Sequence, residues 1–153
     1  MLWSTDISLL ESRRLGGRET NSTVAVRGNL VIDGDTVVAA VRRAGQLRRI
    51  TSLYLVGLDL HTGAVKWTRL VGGYGTNPWG RTTTRPEGMI ADRGVVYRTD
   101  DMGVVAAFEA ATGRPRWVRL LPTRASFDFS MRSEQEPAPF AMHVPLLRGD
   151  RMF

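Results

Sequence analysis

Two stretches of this sequence, fifty positions apart, repeat one pattern without a gap. Gly57-Leu58-Asp59-Leu60-His61-Thr62-Gly63 runs on to Trp67, Arg69 and Leu70. Ala107-Phe108-Glu109-Ala110-Ala111-Thr112-Gly113 runs on to Trp117, Arg119 and Leu120. A small residue, an acid, Thr-Gly, Trp and Arg-Leu recur in register. Self-similarity at a fixed period restricts a chain to architectures in which each unit is one supersecondary element, buried only against its neighbours.

A second element recurs upstream of the first. Leu30–Val38, Met89–Tyr97 and Pro145–Phe153 each read as an apolar stretch, a polar turn with glycine and a second apolar stretch. That is a hairpin signal. Asp33 to Asp92 is 59 positions whereas Thr62 to Thr112 is 50, so nine extra residues lie in the first unit. They fit the segment Arg42-Arg43-Ala44-Gly45-Gln46-Leu47-Arg48-Arg49-Ile50. Each unit then holds four strands, at about 29–32, 36–41, 52–59 and 65–70 in one, and 88–91, 95–99, 104–109 and 115–120 in the other.

Val, Ile, Leu and Tyr dominate these segments, and Gly and Asp separate them, which points to antiparallel β structure. No stretch sustains an apolar period of 3.6 between capping signals, so little helix is expected. The segment Val104-Val105-Ala106-Ala107-Phe108 is apolar on both faces. A strand of that kind is covered on both faces, which here means sheets stacked on sheets. Four strands in about 50 residues is the size of a propeller blade.

The expected fold is therefore all-β: a partial β-propeller of four-stranded antiparallel blades, about two of them full, with partial flanking units. Residues 1–28 read as the end of a preceding unit and a linker, 29–71 as one blade and 72–87 as an inter-blade loop. Residues 88–121 read as the next blade, 122–143 as a linker and 144–153 as the start of a third blade. Closed propellers typically have 4–8 blades. The chain thus reads as a piece of a longer propeller, or as one of several copies that complete a ring.

Within the repeat, Thr-Gly falls at a hairpin turn, where glycine adopts positive φ without steric cost. The carboxylate of Asp59 or Glu109 is placed to accept hydrogen bonds from turn amides, a structural use of an acid.

The spacing small-x-acid-x-x-Thr-Gly-x-x-x-Trp resembles the tryptophan-docking motif of pyrroloquinoline-quinone (PQQ)-type repeat β-propellers. Eight-bladed quinoprotein alcohol dehydrogenases carry it, as do the related propellers of BamB-type outer-membrane assembly lipoproteins. Gly57, Asp59, Thr62, Gly63 and Trp67 match one copy, and Ala107, Glu109, Thr112, Gly113 and Trp117 match the other. The departures are Gly57 for alanine, Glu109 for aspartate, and Ala64 and Arg114 where lysine is common. The resemblance implies that each Trp lies on the small residue of an adjacent blade. It further implies a non-catalytic scaffold for protein–protein or envelope-assembly contacts, in the bacterial periplasm or cell envelope. Its partners would be other blades and a protein. The alternative implied is part of a PQQ-dependent dehydrogenase, and only then are PQQ and Ca2+ expected. Such enzymes hold both at the centre of a full ring, and many carry a vicinal cysteine pair that this sequence lacks.

Composition narrows the functional classes. With no cysteine, disulfide scaffolds, cysteine nucleophiles and thiolate metal sites are excluded. No apolar run approaches the roughly 20 residues of a transmembrane helix, and the start of the sequence has neither the basic region nor the apolar core of a secretory signal. The net charge is +6, carried by 20 arginines and Lys66 against 15 acids. The arginines are scattered from Arg13 to Arg151, not gathered on one element, so no nucleic-acid partner is expected.

No catalytic residues and no metal site emerge. His61 reads as a solvent-facing turn residue, and His143 follows a Pro-rich stretch without a partner for zinc or a triad. Asp100 and Asp101 read as a solvated turn. The four arginines of Arg42–Arg49 read as a solvated hairpin extension at the propeller rim. The Gly-rich loop carrying Tyr74, Asn77, Trp79 and Arg81 is the place for a possible interaction site, because loops on a rigid scaffold carry function. The linker with Phe127, Phe129 and Phe140 is a second such stretch.

Overall fold

The computed structural model describes residues 3–6, 23–44, 50–75, 88–99, 104–120, 145–148 and 151–152. Every regular element among them is a strand. The first sheet holds β1 (Thr23–Asp33), β2 (Thr36–Ala44), β3 (Ile50–Asp59) and β4 (Val65–Gly75). The second holds β5 (Gly88–Asp92), β6 (Val95–Thr99), β7 (Val104–Glu109) and β8 (Pro115–Leu120). Both are antiparallel meanders in sequence order. β9 (Leu147–Arg148) and β10 (Arg151–Met152) form a third hairpin.

The repeat seen in the sequence is a repeat of register. Ile32 opposes Val37 and Ala91 opposes Val96, each pair next to a two-residue turn, and Leu147 opposes Met152 in the same way. Such turns need positive φ. Gly34 supplies it at 53°, while the turn of the second sheet uses Arg93 at 46° and Gly94 at 80°. In both sheets the last strand carries a one-residue irregularity just before the tryptophan. Gly57 opposes Trp67 while Leu58 opposes Val65, and Ala107 opposes Trp117 while Phe108 opposes Pro115. A bulge of this kind re-aims the side chain that follows it.

Blade 1 (β1–β4) and blade 2 (β5–β8) stack face to face, with β1 running beside β5. Alternation sorts the residues of β2 and β3. Val38, Ala40 and Leu55 point towards blade 2 and meet Met89, Val96, Ala106 and Phe108 in one buried cluster. Val37, Val41, Val56 and Leu58 point the other way and gather Trp3 and Leu60 about them. The expectation of strands covered on both faces therefore holds, by the physics that drove it: an apolar face of a sheet must be taken out of water.

Three boundaries differ from the sequence reading. β1 starts at Thr23, within the stretch read as a preceding unit and linker. β4 runs to Gly75, into the stretch read as a loop, because β3 extends to Ile50 and offers its edge to Gly72, Gly73 and Gly75. β2 runs to Ala44, so Arg42 and Arg43 are strand residues and not part of a solvated extension. Arg42 shares a face with Val38 and Ala40 and is 7% exposed, and Arg98 shares a face with Val96 and is 1% exposed. Both residues have an interaction partner within the chain.

Candidate functional site

The repeated residues converge on the junction between blades. The turn after β3 is closed by Gly63 N–H donating to Asp59 O at 2.9 Å, and the turn after β7 by Gly113 N–H donating to Glu109 O at 2.8 Å. Leu60 N–H donates to Asp35 O and Ala110 N–H to Gly94 O, tying each of these turns to the first hairpin of its own blade. The carbonyls of Leu60 and Ala110 are left pointing outwards, and each accepts an indole N–H. Trp67 Nε1 donates to Ala110 O at 2.9 Å. Trp3 Nε1 donates to Leu60 O at 2.8 Å.

Both rings lie against the glycine of Thr-Gly, Trp67 on Gly113 and Trp3 on Gly63. The residue two positions beyond each ring donates to that same glycine's carbonyl. Arg69 Nε does so to Gly113 O at 3.1 Å, and Thr5 Oγ1 to Gly63 O at 2.6 Å. Glycine is needed at these two places twice over. Its φ is 72° at Gly63 and 66° at Gly113, and a Cβ there would overlap the indole.

The resemblance placed each Trp on the small residue of an adjacent blade. In the structure Gly57 belongs to the same blade as Trp67 and faces it across the β3–β4 ladder, while the adjacent blade contributes Gly113 and Ala110 O. Trp67 is thus sandwiched between two glycines and is 6% exposed. Trp117 has the same cross-strand position opposite Ala107, but it is 37% exposed and leans on Tyr97 at 6.3 Å. Trp3 falls in the stretch read as the end of a preceding unit and sits as the tryptophan of such a unit would; Thr5 is the member of the pair that the sequence reading does not single out. Its signal was there, a Trp followed two residues later by a side-chain donor, as in Trp67–Arg69 and Trp117–Arg119.

The acids hold the turns. Asp59 Oδ1 accepts from Thr62 N–H and Thr62 Oγ1, both at 2.9 Å, and from His61 N–H at 3.1 Å. These bonds, the Thr62 hydroxyl first among them, hold the Asp59 carboxyl below its ordinary range. Glu109, one methylene longer, takes Arg114 Nη2 at 2.6 Å and Thr112 Oγ1 at 2.9 Å, and its carboxyl is likewise lowered. For Glu109 the expected amide donors are thus replaced by side chains. His61 is solvent-facing.

Two further ties join the blades near the inner strands. Asn29 Nδ2 donates to Met89 O at 2.8 Å, and Met89 N–H donates to Asn29 Oδ1 at 2.9 Å. Gly94 N–H donates to Asp33 Oδ1 at 3.2 Å.

Of the possible interaction loop, Asn77, Trp79 and Arg81 lie outside the described residues, and Tyr74 enters only as backbone paired with Thr51. Asp100, Asp101, His143 and Phe127, Phe129 and Phe140 also lie outside them. Among the described residues no three His, Asp or Glu side chains gather into a cation-holding group. No helix among them is long and apolar enough to cross a membrane.

No curated protein matches the sequence. Among solved structures, the crystal structure of BamB from Moraxella catarrhalis is similar at 20% identity and a TM-score of 0.31. The match covers 61% of this chain and 36% of that one. A family model described as outer membrane protein assembly factor BamB matches residues 6–119, across both blades, and the chain belongs to that family of PQQ-like repeat β-propellers.

Proposed function

We propose that this chain is a non-catalytic scaffold that holds protein partners during outer-membrane protein assembly, on the periplasmic side of a bacterial envelope. The observation that carries the reading is the family match over residues 6–119. The use of the motif residues supports it. Asp59, Glu109, Thr62, Thr112, Gly63, Gly113 and Trp67 are engaged with one another in holding turns and blades, as the residues of a rigid scaffold would be.

Photo-crosslinking from exposed positions such as His61 and Arg116, in the cells that make the protein, tests this reading. The expected products are adducts with components of the outer-membrane assembly machinery. Alcohol-dependent dye reduction after reconstitution with PQQ and Ca2+, with no such adducts, would overturn it in favour of the dehydrogenase.

A further inference from the structure

β8 is the last strand of blade 2 in the order β5-β6-β7-β8, so its far edge lies on the rim, whatever adjoins the two faces of the blade. Glu109 N–H donates to Arg114 O and Ala110 N–H to Gly94 O, which fixes the alternation along β7. The backbone groups of Glu109, Ala107 and Val105 face β8. Their partners Trp117 and Arg119 are accordingly turned towards β7, and the backbone groups of Val118 and Leu120 are turned outwards. Among the described residues β8 has no strand on that side.

The side chains along this edge are apolar and then cationic. Val118 pairs with Ala106 and Leu120 with Val104, on the face that packs between the blades, yet they are 56% and 74% exposed. On blade 1, β4 continues into Gly72 and Gly73, and a Cβ on Gly72 would meet nothing within 4 Å. Residues 110–120 carry Arg114, Arg116 and Arg119 and no acid. Glu109, at the start of the turn, takes Arg114 Nη2 at 2.6 Å and lies 4.0 Å from Arg116 Nε, whose side chain is 53% exposed. The repeat does not impose this pattern. At the equivalent places blade 1 has Lys66, Thr68 and Leu70, and Lys66 Nζ is turned onto Thr36 Oγ1 and Asp35 O.

We infer that the edge of β8 binds an extended acidic segment of a partner protein, which adds to blade 2 as a fifth strand. The outward backbone groups of Val118 and Leu120 supply the ladder. Alternate apolar side chains of the segment cover Val118 and Leu120 as cross-strand pairs. A carboxylate further along the segment meets the Arg116 guanidinium in a charge-assisted contact. Charge selects this occupant over a second copy. β8 laid against β8 brings the three arginines of each copy together, whereas an acidic segment meets them with the opposite sign. The inference rests on the scaffold reading and gives it a surface and a partner chemistry.

Fluorescence anisotropy of a labelled peptide, Thr-Val-Thr-Val-Thr-Glu-Glu, titrated with the full chain at two salt concentrations, tests it. Binding should be saturable and should weaken with salt. Val118→Pro removes an outward N–H and leaves the β7–β8 ladder whole, so it should weaken binding about tenfold. Arg116→Glu should lose the Glu-Glu peptide and gain its Lys-Lys counterpart. That exchange keeps the test decisive if Val118→Pro fails to fold.

Absence of saturable binding, or equal binding by the wild type and both variants, overturns the inference. So does a dimer in sedimentation velocity that Val118→Pro abolishes and the peptide does not compete away, because the edge then takes a second copy. Crosslinks from His61 to assembly components without peptide binding would remove this edge and leave the scaffold reading standing.

Discussion

Gly57 and Trp67 stand opposite one another across β3 and β4, and the indole fills the volume that a side chain on residue 57 would need. Trp67 is held from the far side by Gly113 and by Ala110 O, so the ring has no room to retreat. Gly57→Ala should therefore destabilise by about 1–3 kcal/mol, as overpacked cores do. In blade 2 an alanine already sits at this place, and its Trp117 is 37% exposed. Ala107→Gly should cost about 1 kcal/mol or less, the ordinary strand penalty of glycine. Urea denaturation of both variants checks the contrast, and a neutral Gly57→Ala would show that the ring is not confined.

The two repeated tryptophans are equal in sequence and unequal in burial. Trp67→Ala removes a ring that is 6% exposed together with its bond to Ala110 O, and should cost about 3–5 kcal/mol. That is a large share of a domain's stability. Trp117→Ala removes a ring that is 37% exposed and should cost about 1–2 kcal/mol in dilute solution. Thermal melts at low protein concentration separate them. Comparable losses in both variants would mean that Trp117 is covered as fully as Trp67.

How the blades were legible, and where they were not, follows from which forces act within a unit. Register came through because Gly34-Asp35 and Arg93-Gly94 mark two-residue turns and Thr62-Gly63 and Thr112-Gly113 mark the others. Turn chemistry is local, so one copy read against the next reveals it. The role of Gly57 did not come through correctly. Whether a small residue serves its own blade or the next depends on the pairing of β3 with β4, which composition does not state. Gly72, Gly73 and Gly75 read as loop because glycine is a poor strand former, yet the free edge of β3 draws them into β4. Arg42 reads as solvated because arginine is seldom buried, yet its place in β2 puts it on the face between the blades. Trp3 lay too far from any recognisable unit for its partner at Leu60 to be read.

The turn acids give the molecule an acid-sensitive element. Asp59 and Glu109 have folded-state pKa values below their ordinary ones, held there chiefly by Thr62 for Asp59 and by Arg114 for Glu109. The unfolded chain regains ordinary carboxylates and binds more protons within that window. Their contribution is thus present above the unfolded pKa values and is lost as pH falls through the folded ones. Stability should decline between about pH 5 and pH 2, and the Asp59→Asn/Glu109→Gln double variant should show a flatter decline. Denaturation midpoints at several acid pH values measure it, and parallel curves for the variant and wild type would remove these two groups from the account.

Asn29 and Met89 supply the one lateral tie in which a side chain satisfies both the N–H and the C=O of a neighbouring blade's strand among the described residues. The tie cannot recur at the next junction. The positions equivalent to Asn29 and Met89 there are Gly88, with no amide to offer, and Pro145, with no N–H to give. Asn29→Ala should accordingly cost about 1–3 kcal/mol, the loss of two bonds from partly buried backbone groups. Asn29→Asp keeps an acceptor for Met89 N–H but turns a carboxylate oxygen towards Met89 O. It should be destabilised at neutral pH and recover in part once the acid is protonated and can donate. Hydrogen exchange at the Met89 amide together with urea denaturation at two pH values checks both statements. Unchanged Met89 protection in Asn29→Ala would show that the blades are held together by Trp67 and the buried cluster alone.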